Sequence, residues 1–535
     1  MSLIGTTLDV LVGSGVGRRA VRAGLRASLL GAPPEAAVAR GSWAGHLLSG
    51  RGFPADAATA LRLAERRAGA PEAREVLAAR RALAQLAAGQ VPADLPDRVT
   101  GSLAVADAAL DRGHLDAAAD RLVEALALAY HPSRHFGAHR SPLLADPDAF
   151  LAPFRASRAV ELLTATPRPR PRRPRRRTER LLVVAAGNFT FVRDIVADYR
   201  RTDGLTVRTL DLDADPALGA QLEVRALTRA RLRRGVAGER LPVPAHLRET
   251  FTWADTVLVE WGHRALAWLS LLDEVGARVV ARVHRYEALT SLPLLTDWSG
   301  VDDVIFVSPD FRDVVRRAAP AVDQARVSVV PNHADLTACR QDKTPAAART
   351  CALVGWDRLV KDPAWALDVL DRLRRADPRW RLLLIGSADP AEPWPEAREY
   401  YARLRARLAA LGPAVEVRGF TDDVPGALRD VGVVLSTSRQ ESAHLALLQG
   451  AASGALPVVR DWPDLAGWGG PAAQYPAEWV VATPAQAADR IRAAGERPHE
   501  SAAARAAQEW VLAHRDWSTV RPAFDAVVLG TGVAG

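Results

Sequence analysis

The sequence holds two lysines against 68 arginines, and two asparagines. Where so strong a bias relents, the position has a need that Arg or Asp cannot meet: a compact point charge, or a donor and an acceptor on one amide. Lys361 stands in VGWDRLVKDP (354–363), ahead of a predicted helix over 364–374. A strand-to-helix turn offers free backbone N–H groups to an anion, and Lys361 and Arg358 add full positive charges. A solvated turn with two surface cations is the plainer reading. A second stretch, QESAHLALLQGAASGALPVV (440–459), places Glu441 at the predicted start of a helix, where the dipole favours its charge. Gln449 follows two turns later on roughly the same face, and Gly454 is the predicted helix cap. Glu441 reads equally well as a ligand contact and as a mere cap. The third stretch, VVPNHAD (329–335), carries Asn332 and by itself is a turn sequence.

Elements must bring these stretches together. Short apolar runs alternate with amphipathic helical stretches at 181–186, 206–212, 256–261, 278–284, 303–308 and 327–331. A second series follows at 351–355, 380–386, 415–420, 432–436, 456–459 and 479–481. Strands that are near-continuously apolar and separated by helices form parallel sheets covered on both faces. Twelve strands, divided at a polar joint over 336–350, predict two doubly wound α/β domains in tandem. Ligands of such sheets sit at the carboxyl ends of the strands, so the expected site is the cleft between the domains.

The remainder of the 535 residues reads differently. Residues 1–164 are Ala- and Leu-rich at helical spacing, notably over 57–88 and 101–130, and predict an all-α domain. His131, His135 and His139 would share one helix face, as metal ligands do, but Pro132 and Gly137 interrupt that helix. Gly13, Gly15 and Gly17 resemble a dinucleotide loop, yet Arg18 replaces the third glycine of that pattern. The segment 165–180 carries eight arginines and one glutamate, nearly all of the net charge of +8. A basic nucleic-acid footprint spread over a folded domain is therefore not implied. The Pro/Arg run predicts a solvated, extended spacer, with contact to an anionic surface as the lesser reading. Two cysteines, Cys339 and Cys351, make no disulfide framework and fit a reducing compartment. No apolar run approaches the roughly 18 residues of a membrane span, and the basic residues near the N-terminus follow the apolar ones, the reverse of a secretory signal. The expected location is the cytoplasm.

From Leu181 to about Ala526 the order and spacing of motifs resemble a retaining nucleotide-sugar glycosyltransferase of the GT-B fold, closest to glycosyltransferase family 4. That family reads roughly V-x-P-N-G-x-D, V-G-R-L-x-x-x-K-G, L-x-I-x-G, G-F and S-x-x-E-G-F-G-L-x-x-x-E-A-x-A-x-G-x-P-V-V. The stretches here are VVPNHADL, VGWDRLVKDP, LLLIGS, RGFTDDV and STSRQESAHLALLQGAASGALPVV, and HRDWSTVRPAFDAVV is similar to the family's last helix, which crosses back to the first domain. Composition and spacing thus give a helical accessory domain over 1–164 and a linker over 165–179, ahead of the stretch that carries the resemblance. The resemblance implies an acceptor domain over 180–336, a joint over 337–350, a donor domain over 351–515 and a returning helix with tail over 516–535.

Carried over by position, Lys361 would neutralise the donor diphosphate, Glu441 contact the donor sugar and Gln449 hold the ribose hydroxyls. Ser442, His444 and Leu445 fall in the turn under the diphosphate, Arg358 nearby, and Phe420 where the base is held. His284 matches the histidine beside the reacting centre, and Gly187 and Asn188 match the loop facing acceptor and phosphates. Trp356 stands at the family's usual diphosphate arginine, and Gln449 at a carboxylate. The implied activity is transfer of a hexose from a UDP- or GDP-sugar to a hydroxyl of a glycan, polymer, lipid or protein, without a cofactor or metal. The competing expectation is a degenerate GT-B pair that binds sugar nucleotides or glycans while its helical domain recruits a protein partner.

Overall fold

The computed structural model describes Ala23 and residues 27–29, 31–273, 275–387 and 394–531; the glycine-rich stretch 13–17 lies outside them. The chain divides into two compact units: residues 1–133 with 151–163, and residues 134–150 with 164–535. The first unit is helical. Its helices Pro34–Gly50, Pro54–Arg67 and Pro71–Ala87 each begin with proline in the first turn, where the missing N–H costs nothing. Small side chains let them approach closely, and Ala44, Ala57, Leu61, Ala64 and Leu77 form the shared core.

The second unit contains two six-stranded parallel sheets. The first comprises β1 (Arg180–Ala185), β2 (Thr206–Asp211), β3 (Thr256–Glu260), β4 (Arg278–Val283), β5 (Asp303–Phe306) and β6 (Arg326–Val329), in the order β2-β1-β3-β4-β5-β6. The second comprises β7 (Thr350–Val354), β8 (Arg381–Ile385), β9 (Val415–Arg418), β10 (Val433–Ser436), β11 (Leu456–Arg460) and β12 (Val480–Val481), in the order β12-β11-β10-β7-β8-β9. In both sheets the strand order reverses once, between β1 and β3 and between β7 and β10. Such switch points open a crevice at the carboxyl ends of the two strands. This is the two-domain α/β arrangement of a GT-B fold.

Two features of β4 depart from the apolar pattern. Arg278, 4% exposed, donates to Asp303 and to the carbonyls of Val527 and Val528, which ties the last helix, Trp517–Val528, under the first sheet. Arg282 donates to Asn332 Oδ1 at 2.6 Å and to Glu260 at 3.4 Å. In the second sheet, Gly450 lets the helix Leu445–Ala452 lie on β10, since a Cβ there would come within 2.6 Å of the Val434 side chain.

The Arg/Pro segment is not a free spacer. Arg173 pairs with Asp302 and donates to the Val275 carbonyl, Arg175 pairs with Asp303, and the Thr178 N–H donates to the Leu529 carbonyl. Its arginines find buried carboxylates along the amino ends of β4–β6, which sequence composition cannot reveal. Among the described residues no helix is long and apolar enough to cross a membrane.

Candidate functional site

At the switch point of the second sheet, the loops after β7 and β10 meet. Lys361 Nζ donates to Glu441 Oε1, and Ser438 Oγ donates to the same oxygen at 3.0 Å. The Thr437 hydroxyl donates to the Lys361 carbonyl, so the two loops are joined by backbone as well as by charge. Burial pushes the Glu441 carboxyl up, but Lys361, His444 and Arg285 outweigh it and hold it at about 2. His444 Nδ1 lies 2.8 Å from Ser436 Oγ, and burial with the Lys361 charge lowers its pKa to about 3, so it is neutral.

Glu441 lies outside the helix it was expected to begin. The helix runs Leu445–Ala452 with His444 as N-cap, and no side chain caps it. A capping role for Glu441 is thereby removed, and so is a shared helix face with Gln449. The helix after β7, Pro363–Ala376, also differs from expectation: the Ala364 N–H donates to Tyr400 Oη at 3.0 Å, and the Tyr400 hydroxyl donates to Asp362 at 2.8 Å. Asp362 in turn pairs with Arg460. That N-terminus is engaged within the protein, while the turn at 441–445 has no side-chain cap from its own N-cap residue and the His444 N–H donates to Tyr475 Oη at 3.2 Å.

Trp356 is 3% exposed and belongs to the core under the second sheet, with Leu353, Leu384 and Tyr401. It does not line the cleft. Arg358 and Phe420 are exposed, Phe420 to 80%, and Gln449 is half-buried. Among the described residues no side-chain hydrogen bond or ion pair joins these three to the Lys361–Glu441 pair. Ser442, 8% exposed, and Leu445 flank His444 in the same turn.

On the first sheet, His284 ends β4. Its ring stacks on Phe191 at 5.0 Å and meets Trp261 at 4.4 Å. Its Nε2–H donates to Glu260 Oε1 at 2.9 Å, leaving Nδ1 without a partner. Burial lowers the His284 pKa, against the pull of Glu260, so the ring is neutral with a free lone pair on Nδ1. Glu287, fully buried three residues on, is pushed up to about 8 by burial, despite backbone N–H groups around it. Gly187 and Asn188 form the exposed turn after β1, where Gly187 takes φ +78° and its N–H donates to Asp211 at 2.8 Å.

Arg285 and Glu260 escaped the sequence reading. Arg285, next to His284, is the first-sheet residue whose charge reaches Glu441. One among 68 arginines, it carried no signal of its own. Glu260 did carry one: a carboxylate closing an otherwise apolar strand. Of the other rare residues, Lys343 and Asn332 serve the fold. Lys343 Nζ binds the Leu428 carbonyl and Ser453 Oγ, and Asn332 accepts from Arg282.

Residues 348–496 match the family model described as glycosyl transferases group 1. Among solved structures, HepE of Anabaena in complex with UDP is similar at 15% identity, over 64% of this chain and 98% of that one, with a TM-score of 0.46. Sucrose-phosphate synthase from Thermosynechococcus elongatus is similar at 14% identity, over 64% and 97%, with a TM-score of 0.44. A glycosyltransferase from Rickettsia africae ESF-5 is similar at 13% identity, over 65% and 97%, with a TM-score of 0.47. No curated protein matches the sequence.

Proposed function

We propose that this chain is a glycosyltransferase that moves a hexose from a UDP- or GDP-sugar to an acceptor hydroxyl with retention of anomeric configuration. The observation that carries the reading is the Lys361–Glu441 pair at the switch point of the second sheet, inside the 348–496 match. An ammonium and a carboxylate held together there suit the two ends of one donor. Lys361 stabilises charge building on the departing diphosphate, helped by Arg358 and by the uncapped turn of Ser442, His444 and Leu445. Glu441 orients the sugar, Gln449 accepts from the ribose hydroxyls and Phe420 offers a face to the base. His284 lies at the carboxyl end of the opposite sheet, where its free Nδ1 can accept a proton or a hydroxyl hydrogen bond. Gly187 and Asn188 border the acceptor side. Closing the cleft expels water and limits hydrolysis of the donor.

The reading of a pair that binds without turnover would be favoured by a cleft blocked at the diphosphate position. Trp356 is packed in the core instead, which leaves that reading without support. The test is incubation of the full chain with UDP- and GDP-hexoses, with and without cell extract as acceptor source. Extract-dependent release of UDP or GDP is expected, with an α-linked product from an α-linked donor by NMR. Tight binding of a donor with no release from any of them would overturn the proposal.

A further inference from the structure

The segment 134–150 interrupts the helical region in sequence but belongs to the two-sheet unit. Its first residues reach both sheets. The His135 carbonyl accepts from Gln440 Nε2 at 3.2 Å, and the Phe136 ring stacks on Tyr286 at 5.1 Å and 17°. Gln440 directly precedes Glu441, and Tyr286 directly follows Arg285, whose guanidinium lies 6.0 Å over the Phe136 ring. His135 and Phe136 thereby link the stretch that leads into Glu441 with the one that follows His284. Further along, Arg140 donates to the carbonyls of Asp464 and Ala466, and Trp468 to that of Leu144, fixing the rest of the segment.

Tyr286 is covered on one face by Phe136 and yet stays 44% exposed. Its neighbour His263 lies 5.9 Å away, ring to ring, and the next residue, Arg264, pairs with Asp213 at 2.5 Å. A Cβ on Gly187 would come within 2.8 Å of the Asp213 carboxylate, so this edge continues to the turn after β1. Trp261, two residues before His263, takes φ +65°, a conformation that a bulky residue adopts only when its surroundings enforce it. The edge thus offers one open aromatic face bordered by an imidazole, a guanidinium and a carboxylate. A pyranose has the complementary shape, with an apolar C–H face ringed by hydroxyls. A lipid chain, which has no hydroxyls to offer, would leave these polar groups unmatched.

We propose that Tyr286, backed by Phe136, is the platform that receives the acceptor, and that the acceptor presents a pyranose ring to it with its hydroxyls toward His263 and Asp213. This rests on the transferase reading and adds the class of acceptor. The probe is a set of methyl glycosides of glucose, galactose, mannose and N-acetylglucosamine, offered to the full chain in saturation-transfer NMR and in a UDP- or GDP-release assay. At least one should bind the wild-type protein and stimulate release. Tyr286→Ala should raise the half-saturating glycoside concentration about tenfold or more and lower the ratio of transfer to hydrolysis, and Tyr286→Phe should restore both. Phe136→Ala should act in the same direction, and since Tyr286 is exposed, its variants fold even if that one does not. Binding of none of the glycosides by the wild-type protein, or an unchanged half-saturation in Tyr286→Ala, would overturn the platform while leaving donor cleavage intact. Glycoside binding without any donor cleavage would overturn the transferase reading instead.

Discussion

Taking away the Lys361 ammonium would leave Glu441, only 6% exposed, without its main counter-ion. Lys361→Ala is expected to cut transfer by about 10²-fold, the loss seen when one stabiliser of developing charge goes. It should also lower stability by roughly 3 kcal/mol, because an unpaired buried charge costs more than the pair contributes. Adding Glu441→Gln should recover much of that stability and none of the activity, a contrast that denaturant titration and nucleotide release measure side by side. Glu287 gives a pH prediction of the opposite sign. Its folded pKa, about 8, lies above its unfolded value, so the folded state holds the proton more tightly. Stability is then full below about pH 4.5 and falls as pH rises toward 8. Glu287→Gln should flatten that fall and raise the melting temperature at pH 7.5. At this scale the sequence was readable where a residue type is rare. Lys361 stood out for that reason, whereas Arg285 and Glu287 gain their properties from burial and neighbours that no spacing encodes.

The inner strands were legible because burial on both faces writes itself as a continuous apolar run, and all twelve strands, the part-exposed edge ones included, lie within a few residues of their expected places. The elements that were misread are those whose partners are remote. Arg140 reaches residues more than 300 positions away, and the Pro/Arg segment reads as solvated until Asp302 and Asp303 are found beneath it. Asp303 accepts from Arg175, Arg278 and Arg326. Burial raises its pKa, but these three cations hold the carboxyl below its usual range. Asp303→Asn should therefore cost about 3 kcal/mol, seen as a lower denaturant midpoint at unchanged slope. Arg140→Ala should speed hydrogen exchange across 134–150 well above that of β1–β12, because its bonds to the Asp464 and Ala466 carbonyls tie the segment to the second sheet.

The two sheets are also joined through the segments that follow their strands. Asp310, from the helix after β5, accepts from the Gly470 N–H and from Gln474 Nε2, both beyond β11. The last helix returns to the first sheet, where the Trp517 N–H donates to the Ala334 carbonyl and Trp517 Nε1–H to Asp198. A shortened chain beginning at Thr178 keeps these stitches and loses residues 134–150 together with Arg173 and Arg175, two of the cations on Asp302 and Asp303. It should stay folded with a lower denaturant midpoint, and its transfer to a sugar acceptor should fall further than its hydrolysis of donor. Full retention of transfer would assign the acceptor contacts to the sheets alone. One property follows from the joined Lys361 and Glu441 side chains. If Lys361 meets the donor phosphate as proposed, the carboxylate is a tethered rival for that place, its local concentration set by two short loops rather than by solution. An incoming anion has to evict it, which a diphosphate, bearing more charge and engaging the uncapped turn as well, does more readily than a monophosphate. On the proposed reading a nucleoside diphosphate should therefore bind more tightly than the matching monophosphate, and Glu441→Gln should narrow that gap, an order that calorimetric titration reads directly.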